Sequence, residues 1–300
     1  MSVPLVIGWH TSLDSLNVPV HLLEGSNECP AAQVFLKSPM GKAKIKLSQK
    51  RLEATRSLLD RLYLVVHGQY LINFIQPGLQ WAIDSVVEDM LCLEDILSDC
   101  SPEHRSRTGV VIHLGKNTMG RSLEECIAEF AENVKRVIGL TAGCSVRLIL
   151  ETSTKAKNGN DVFYCLENFG KLVYKIKEVL GEEVYLQRIG FCVDTAHIFA
   201  SGYSIKTRDE VVSFLREWDK HIGVERITLF HLNDSKVGVG CCRDLHEQIG
   251  KGMIYSETKE GLGYLLNWCR RSMIPVVIES GGNAGEEWTL LQHTIFSSRE

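Results

Sequence analysis

Eight short apolar runs recur along the 300-residue chain, and within them hydrophobic residues do not alternate with polar ones. Val, Ile and Leu dominate these runs, which is typical of strands that are covered on both faces, as in parallel sheets. The runs are LVIG (5–8), QVFL (33–36), LVVHG (64–68), VVIHLG (110–115), RLILET (147–152), GFCVDT (190–195), TLFHLND (228–234) and PVVIES (275–280). The chain is therefore predicted to form a parallel sheet of eight strands.

The stretches between the runs have the periodicity of amphipathic helices. Ser122 and Glu125 form a capping-box signature at the start of one helix, and Gly139 is expected to end it. Thr207 and Glu210 repeat the capping-box spacing before another helix. Further long helices are predicted near 79–98, 162–180 and 256–271.

This alternation predicts an α/β fold, a closed (β/α)8 TIM barrel that spans residues 1–300 as a single domain. A chain of 300 residues suits such a barrel, and no linker or low-complexity segment divides it. The rival architecture is an open, doubly wound sheet. It is disfavoured because no glycine-rich phosphate loop follows the first run.

Composition narrows the class of protein. Hydrophobic residues make up 44% of the chain and charged residues 23%, as in soluble globular proteins. No apolar run is long enough to cross a bilayer, and the first residues lack the pattern of a signal peptide. The 10 cysteines include no CxxC pair, which favours reduced thiols. We therefore expect a cytoplasmic or nuclear protein, or a virion protein if the source is viral, and not a secreted one.

The net charge of −4 argues against a protein that coats nucleic acid non-specifically. It still allows an enzyme that binds a few phosphates through metal ions and a local basic rim. A candidate rim is the segment GKAKIKLSQKR, which contains Lys42, Lys44, Lys46, Lys50 and Arg51. On charge alone, a solvent-exposed loop and helix start is the better interpretation of this segment.

Ionisable side chains end six consecutive strand-like runs, from the third to the eighth. They are His67, His113, Glu151, Asp194, His231 and Glu279. In a barrel the C-terminal ends of the strands converge on one rim, where active sites lie. Buried carboxylates without partners would repel one another and lose their hydration, so this set indicates bound cations.

The loops add three further candidate ligands. His197 follows the sixth run, and Asp244 and His246 follow the seventh. Histidine and carboxylate side chains are common zinc ligands, and this set is large enough for about three metal ions with Glu151 shared. A lone strand-end histidine is more often a hydrogen-bonded core residue, and a lone strand-end acid is as often a helix cap or an ion-pair partner. The set over six consecutive strands nevertheless indicates a metal centre.

Several segments of the chain resemble those of a known family. The segments GFCVDTAHIFASGY (190–203), FHLNDSK (230–236) and RDLHEQIGKGMI (243–254) resemble the signatures of the endonuclease IV family of apurinic/apyrimidinic (AP) endonucleases. The segments HGQYLIN (67–73), VVIHLG, LILET and VVIES match the remaining motif strands of that family. The resemblance runs in order from about residue 5 to residue 280, and it implies an AP endonuclease barrel of the family 2 type.

The resemblance implies three zinc ions per chain. The ligand sets it implies are His67, His113 and Glu151 for the first ion, Glu151, Asp194, His231 and Glu279 for the second, and His197, Asp244 and His246 for the third. Glu151 is then the catalytic carboxylate, because it bridges two ions and positions the metal-bound hydroxide. Histidines with carboxylates also suit Mn or Fe, and the resemblance selects Zn.

Three positions bear on DNA contacts. Tyr70 matches a tyrosine that the family presents to DNA, although a rim aromatic packed on its own loop is an equally good interpretation. Leu245 stands where relatives usually have an arginine, which puts one phosphate contact in doubt. The loop around Lys37–Lys46 does not align cleanly, so no lesion-inserting residue is assigned.

The implied reaction is hydrolysis of the phosphodiester 5′ to an abasic site in double-stranded DNA, which leaves a 3′-hydroxyl for base excision repair, by an enzyme expected to be a monomer. The main alternative is a metal-dependent sugar isomerase or epimerase on the same barrel, and the third ligand set discriminates against it. A second alternative is a catalytically inactive DNA-binding relative. It is disfavoured because all nine ligand positions are filled.

Overall fold

In the computed structural model, which describes residues 3–41 and 47–297, eight parallel strands close into a barrel. Each barrel strand neighbours the barrel strand before it in the chain, and the last barrel strand pairs with the first to close the barrel. The barrel strands are Val6–His10 (β1), Cys29–Phe35 (β2), Tyr63–His67 (β3), Gly109–His113 (β4), Arg147–Glu151 (β5), Ile189–Asp194 (β6), Ile227–His231 (β7) and Val276–Ile278 (β10). Each overlaps one of the eight apolar runs, so the predicted TIM barrel is confirmed.

Helices connect the strands and cover the outside of the barrel. They are Asn17–Leu22 (α1), Gln49–Arg56 (α2), Gln80–Ile96 (α3), Pro102–Arg105 (α4), Leu123–Leu140 (α5), Leu166–Leu180 (α6), Glu182–Arg188 (α7), Thr195–Ser201 (α8), Arg208–His221 (α9), Glu260–Ser272 (α10) and Ala284–Ser297 (α11). Short 3-10 helices lie at Leu13–Ser15 and Val224–Arg226. The long loop after β7 contains a two-stranded antiparallel ribbon of Asp234–Ser235 (β8) and His246–Glu247 (β9).

Helix caps account for several of the boundaries. Both predicted capping boxes are present: the hydroxyls of Ser122 and Thr207 accept hydrogen bonds from the backbone N–H groups of Glu125 and Glu210. The prediction that Gly139 ends α5 was wrong. Burial of the apolar face of α5 outweighs the cost of about 1 kcal/mol for one glycine within a helix, so α5 continues to Leu140.

Two apolar layers hold the barrel together. The larger one lies between the strands and the helices. The smaller one fills the barrel interior and is called the plug; it consists of Ala31, Val65, Val111, Ile149, Cys192, Leu229 and Val277, all fully buried. Gly8 lies beside Ala31 in this layer, and a Cβ at Gly8 would overlap the Ala31 carbonyl. The interior is therefore a packed core, as in other TIM barrels.

The other structural expectations concern membranes and thiols. Among the helices of residues 3–41 and 47–297, none combines the length and apolar character that crossing a bilayer requires. All ten cysteines are free thiols, and Cys126, Cys144, Cys192 and Cys269 are buried.

Candidate metal centre

The barrel interior changes from apolar to polar over two residues of each of seven strands. Side chains two residues apart in a strand point to the same face, so the residue two positions beyond each plug residue also points into the barrel. These residues form the polar layer: Gln33, His67, His113, Glu151, Asp194, His231 and Glu279. The periodicity of the strands thus carries imidazoles and carboxylates to the C-terminal mouth of the barrel.

Candidate ligand atoms form three clusters in and beside the polar layer, with the atoms of each cluster within 4.8 Å of one another. The first cluster is His67, His113 and Glu151, the second is Glu151, Asp194, His231 and Glu279, and the third is Asp194, His197 and His246. Glu151 belongs to two clusters and so does Asp194. The clusters therefore form one continuous centre.

Glu151 faces two clusters with different oxygen atoms. Its Oε2 lies 3.3 Å from His67 Nε2 and 3.1 Å from His113 Nε2. Its Oε1 lies 3.0 Å from Nδ1 of His231 in the second cluster. The Glu151 side chain is only 1% exposed, so its position is fixed by the end of β5 and by these neighbours.

Opposite charges control the protonation of these buried groups. Burial alone would raise the pKa of Glu151, but the imidazoles of His113 and His231 outweigh it and hold this pKa well below its usual value. Burial alone would lower the pKa of His197, yet the carboxylates of Asp194 and Asp244 raise it well above its usual value. The buried carboxylates therefore favour a positive charge beside them, which a protonated imidazole or a divalent cation can supply.

Backbone carbonyls orient two of the imidazoles toward the centre. His67 Nδ1 lies 2.7 Å from the Gly68 carbonyl oxygen, and His197 Nδ1 lies 2.8 Å from that of Thr152. Because a carbonyl oxygen only accepts, each Nδ1 carries the proton that it donates. Each Nε2 is then left to face the clusters, which is the usual way in which a protein prepares a metal-binding histidine.

The third cluster is placed differently from the ligand set implied by the resemblance. Asp194 lies with His197 and His246 in this cluster, although the sequence assigned Asp194 to the second ion alone. Asp244 adjoins the cluster: its Oδ2 is 3.2 Å from His197 Nε2 and its Oδ1 is 3.0 Å from His246 Nε2. All nine predicted residues are thus brought together.

Known proteins resemble this chain in both sequence and fold. A model of the family of xylose isomerase-like TIM barrels matches residues 28–260. A protein of Acanthamoeba polyphaga mimivirus described as an endonuclease 4 is 30% identical over 260 residues, which cover 84% of this chain and 78% of that protein. Apurinic-apyrimidinic endonuclease 1 of Schizosaccharomyces pombe is 32% identical over 244 residues, which cover 80% of this chain and 63% of that protein. The chain belongs to the endonuclease IV family of AP endonucleases.

Solved structures share the barrel. Endonuclease IV from Thermus thermophilus superimposes with a TM-score of 0.73 at 24% identity, over 98% of each chain. A D-tagatose 3-epimerase-like protein superimposes with a TM-score of 0.65 at 14% identity, over 100% of this chain and 97% of that one. The fold is therefore common to endonuclease IV and to sugar epimerases, and membership of the endonuclease IV family rests on the sequence matches.

Three polar residues of the centre were missed by the sequence analysis, which considered only ionisable residues from the third run onward. Gln33 is fully buried, and its Oε1 accepts a hydrogen bond of 2.8 Å from His231 Nε2 while its Nε2 donates to Glu279 Oε1 at 2.6 Å. His10 ends β1, with Nδ1 3.6 Å from Glu279 Oε1. Asn233 donates to Asp194 Oδ2 at 2.6 Å. The signal that could have found Gln33 is its spacing of two residues from Ala31.

Tyr70 and Leu245 are the two described positions that the resemblance relates to DNA contacts. Tyr70 is 46% exposed, and its ring stacks on the His113 ring with centroids 5.5 Å apart. Burial of its hydroxyl and the nearby Glu279 raise the pKa of Tyr70 to about 12, so the hydroxyl stays protonated. Leu245, between Asp244 and His246, has no charge and cannot make the phosphate contact that the resemblance implies for an arginine at this position.

The basic rim segment lies only partly within the described residues. Lys42, Lys44 and Lys46 fall outside the described residues. Arg51 lies on α2, and its Nε donates to Asp14 Oδ1 at 2.8 Å. Arg51 therefore has a protein partner, and the sequence-based preference for a solvent-exposed helix start describes its surroundings better than a phosphate-binding rim.

Proposed function

We propose that this protein is a zinc-dependent AP endonuclease that hydrolyses the phosphodiester 5′ to an abasic site in double-stranded DNA and leaves a 3′-hydroxyl. The observation that carries the proposal is the continuous centre, in which Glu151 and Asp194 link three clusters of histidines and carboxylates. The protein would act as a single barrel domain and a monomer, in the cytoplasm or nucleus or, if viral, in a virion.

The donor set fits three divalent cations. Imidazole nitrogens and carboxylate oxygens are the ligands that zinc takes in catalytic sites, usually three protein ligands with one position left for water or substrate. The first and third clusters each have three protein ligands, and the second has four. When bound, such cations polarise a phosphodiester and lower the pKa of a bound water to near neutrality.

The residues of this chain would then divide the work. Glu151, His67 and His113 would hold the first ion, and Asp194, His231 and Glu279 would hold the second, with Glu151 shared between the two sets. His197 and His246 would hold the third ion with Asp194, with Asp244, or with both. The fixed orientation of His67 and His197 by backbone carbonyls keeps this geometry before substrate binds. None of these side chains is needed as a general base.

An abasic nucleotide suits this mouth. It lacks a base to stack, so its extrusion from the duplex costs less than that of a normal nucleotide. Tyr70 and Leu71 stand together beside the first cluster and are each 46% exposed, as expected for side chains that enter the gap left by a missing base. The name of the S. pombe relative, an apurinic-apyrimidinic endonuclease, supports the same substrate.

The sugar epimerase alternative has weaker support. Its structural resemblance reaches only 14% identity and reflects the fold. The third cluster provides the argument against it, because an isomerase or epimerase usually needs one or two metal ions and leaves such a cluster without a role. Turnover of a ketose or aldose, with no cleavage of DNA, would reverse this preference.

The test uses zinc-loaded protein and a duplex with one tetrahydrofuran abasic analogue, alongside a matched intact duplex. The analogue cannot undergo β-elimination, so a nick requires hydrolysis. We expect a nick on the 5′ side, a 3′ end that a polymerase can extend, and no cut in the intact duplex. Equal nicking of both duplexes would contradict lesion recognition. Tight binding of the abasic duplex without any nick would instead indicate an inactive DNA-binding relative.

A further inference from the structure

A pocket of about 310 Å³ opens beside the metal centre, between the loops that follow β3, β4 and β5. Its wall includes Tyr70 and three residues in or beside the centre, which are His113, His197 and Asp244. These three residues belong to or adjoin the first and third clusters. A molecule that fills the pocket therefore contacts the edge of the metal centre, and the volume is at the lower end of the range for small-molecule pockets, about 300–1,000 Å³.

The pocket wall contains a buried acid that the metal centre does not use. Asp161, in the loop between β5 and α6, is 6% exposed and belongs to none of the clusters found in the described residues. Its Oδ2 is buried and has no hydrogen-bond partner among those residues. Oγ1 of Thr154, in the same wall, is also buried and unpartnered there. Buried polar atoms are nearly always hydrogen-bonded, so each of these two oxygens needs a hydrogen-bond partner that the described residues do not supply.

Electrostatics limits what that ligand is. Burial raises the pKa of Asp161 above its usual value, although Lys116 in the same wall opposes this. A phosphate would be repelled by the Asp161 carboxylate and fits the metal clusters better. Asp161 and Thr154 suit a neutral group that carries a hydroxyl and both donates and accepts hydrogen bonds.

We propose that Asp161 and Thr154 form a subsite for a sugar hydroxyl, and that this hydroxyl is the one at C1′ of the abasic deoxyribose. The inference rests on the proposed function, which brings the abasic sugar to this mouth. In its cyclic form the natural lesion has a hydroxyl at C1′, where an intact nucleotide has its base and the tetrahydrofuran analogue has only hydrogen. Asp161 and Thr154 are thus specificity-determining residues, which separate lesions that differ by one oxygen atom.

The expected difference in cleavage rate between the two lesions follows from leaving the hydrogen-bonding oxygens of the subsite without a partner. When the tetrahydrofuran analogue binds, it excludes water from the pocket but offers Asp161 no donor. A buried acceptor that loses its partner in this way typically weakens the complex by about ten- to a hundredfold. The protein should therefore cut the natural abasic site faster than the analogue by about that factor, under single-turnover conditions with subsaturating protein.

The experiment compares two duplexes of identical sequence, one with a freshly made natural abasic site and one with tetrahydrofuran. Asp161→Leu should lower the rate on the natural site to that on the analogue and leave the analogue rate unchanged. Thr154→Val should shift the same ratio in the same direction by a smaller factor, and it serves if Asp161→Leu fails to fold. Asp84→Leu, at an exposed acid of α3, is the matched control and should keep the wild-type ratio.

Two results would overturn the subsite. Equal rates of wild-type protein on the two duplexes would show that the C1′ hydroxyl is not recognised. Equal loss of both rates in Asp161→Leu and Thr154→Val would show that the two residues only support the fold or bind an ordered water or cation. If wild-type protein cuts neither duplex, the proposed function fails, and this inference fails with it for that separate and recognisable reason.

Discussion

The two halves of the metal centre are built by different means. The half formed by the first and second clusters stands on strand ends. Glu151, Asp194 and His231 are each at most 1% exposed, and His113, at the rim of this half, is 31% exposed. The third cluster draws two of its members from elsewhere. His197 comes from α8, and His246 comes from the ribbon after β7, where its side chain is 22% exposed and that of the adjoining Asp244 is 48% exposed.

This difference indicates how the two halves should behave. The barrel fixes the strand-end ligands, since moving one of them would disturb the plug below it. The loop-borne ligands depend on a short ribbon and on contact with solvent, so they should exchange their ion more readily. The strand-end half, or buried half, is then a rigid core of the centre, and the third cluster with Asp244 is its adjustable edge. Residues of both parts line the pocket whose wall includes Asp161.

The largest effect should come from the carboxylate that joins the first two clusters. Glu151→Gln removes the charge that the first two proposed ions would share. We therefore expect nicking to slow by at least about a thousandfold and about two of the three proposed metal ions to be lost. Metal content by plasma mass spectrometry and nicking of the tetrahydrofuran duplex measure both. The exposed Glu132→Gln on α5 is the control. Retention of full metal content by Glu151→Gln would show that the buried half does not depend on this bridge.

A smaller effect should follow from damage to the adjustable edge. His246→Ala is expected to release one metal and to slow nicking about a hundredfold, as loss of one group that stabilises transition-state charge often does. The melting temperature of the loaded protein should change little because the plug and the buried half are intact. Asp244→Asn, measured beside it, tests whether Asp244 or Asp194 completes the third cluster. Loss of all metals from His246→Ala would break the division into two halves.

Gln33 is not a candidate ligand, but it forms hydrogen bonds with His231 and Glu279 of the second cluster. Gln33→Leu removes the acceptor for His231 Nε2 and the donor to Glu279, so we expect weaker metal binding in the second cluster by about ten- to a hundredfold. Competition with a fluorescent chelator measures this affinity without any activity assay. The third cluster should keep its affinity, and Gln187→Leu on the exposed face of α7 should change neither. Equal weakening of every site would mean that Gln33 supports the barrel as a whole.

The smallest effect concerns the pH dependence of the metal-free protein. The raised pKa of His197 stabilises the fold below about pH 6.5, and this contribution is lost as pH rises through the folded pKa. The lowered pKa values of Glu151 and Asp244 stabilise it above about pH 4.5, and this is lost as pH falls. Scanning calorimetry of the metal-free protein should therefore give the highest melting temperature between about pH 4.5 and about pH 6.5. Added zinc should raise the melting temperature by more degrees at pH 8 than at pH 6, and an equal rise would contradict proton–metal exchange.

The strand-end half could be predicted from sequence because it follows from periodicity alone. A run such as RLILE gives both the plug residue Ile149 and, two positions on, Glu151. Gln33 follows the same rule beyond Ala31, but an amide carries no charge and so gave no sign of a metal centre. Loop residues obey no such period. The place of Asp194 in the third cluster and the burial of Asp161 depend on how separate loops pack.

Zinc-edge anomalous diffraction from crystals of the zinc-loaded protein would locate the ions of the proposed centre directly. We expect three anomalous peaks: two within the polar layer on either side of Glu151, about 3.5–4 Å apart, and a third between His197 and His246. We also expect the third peak to lose occupancy first when crystals are soaked in dilute chelator. A single peak, or a third cluster without zinc at saturating metal, would contradict a centre of three zinc ions.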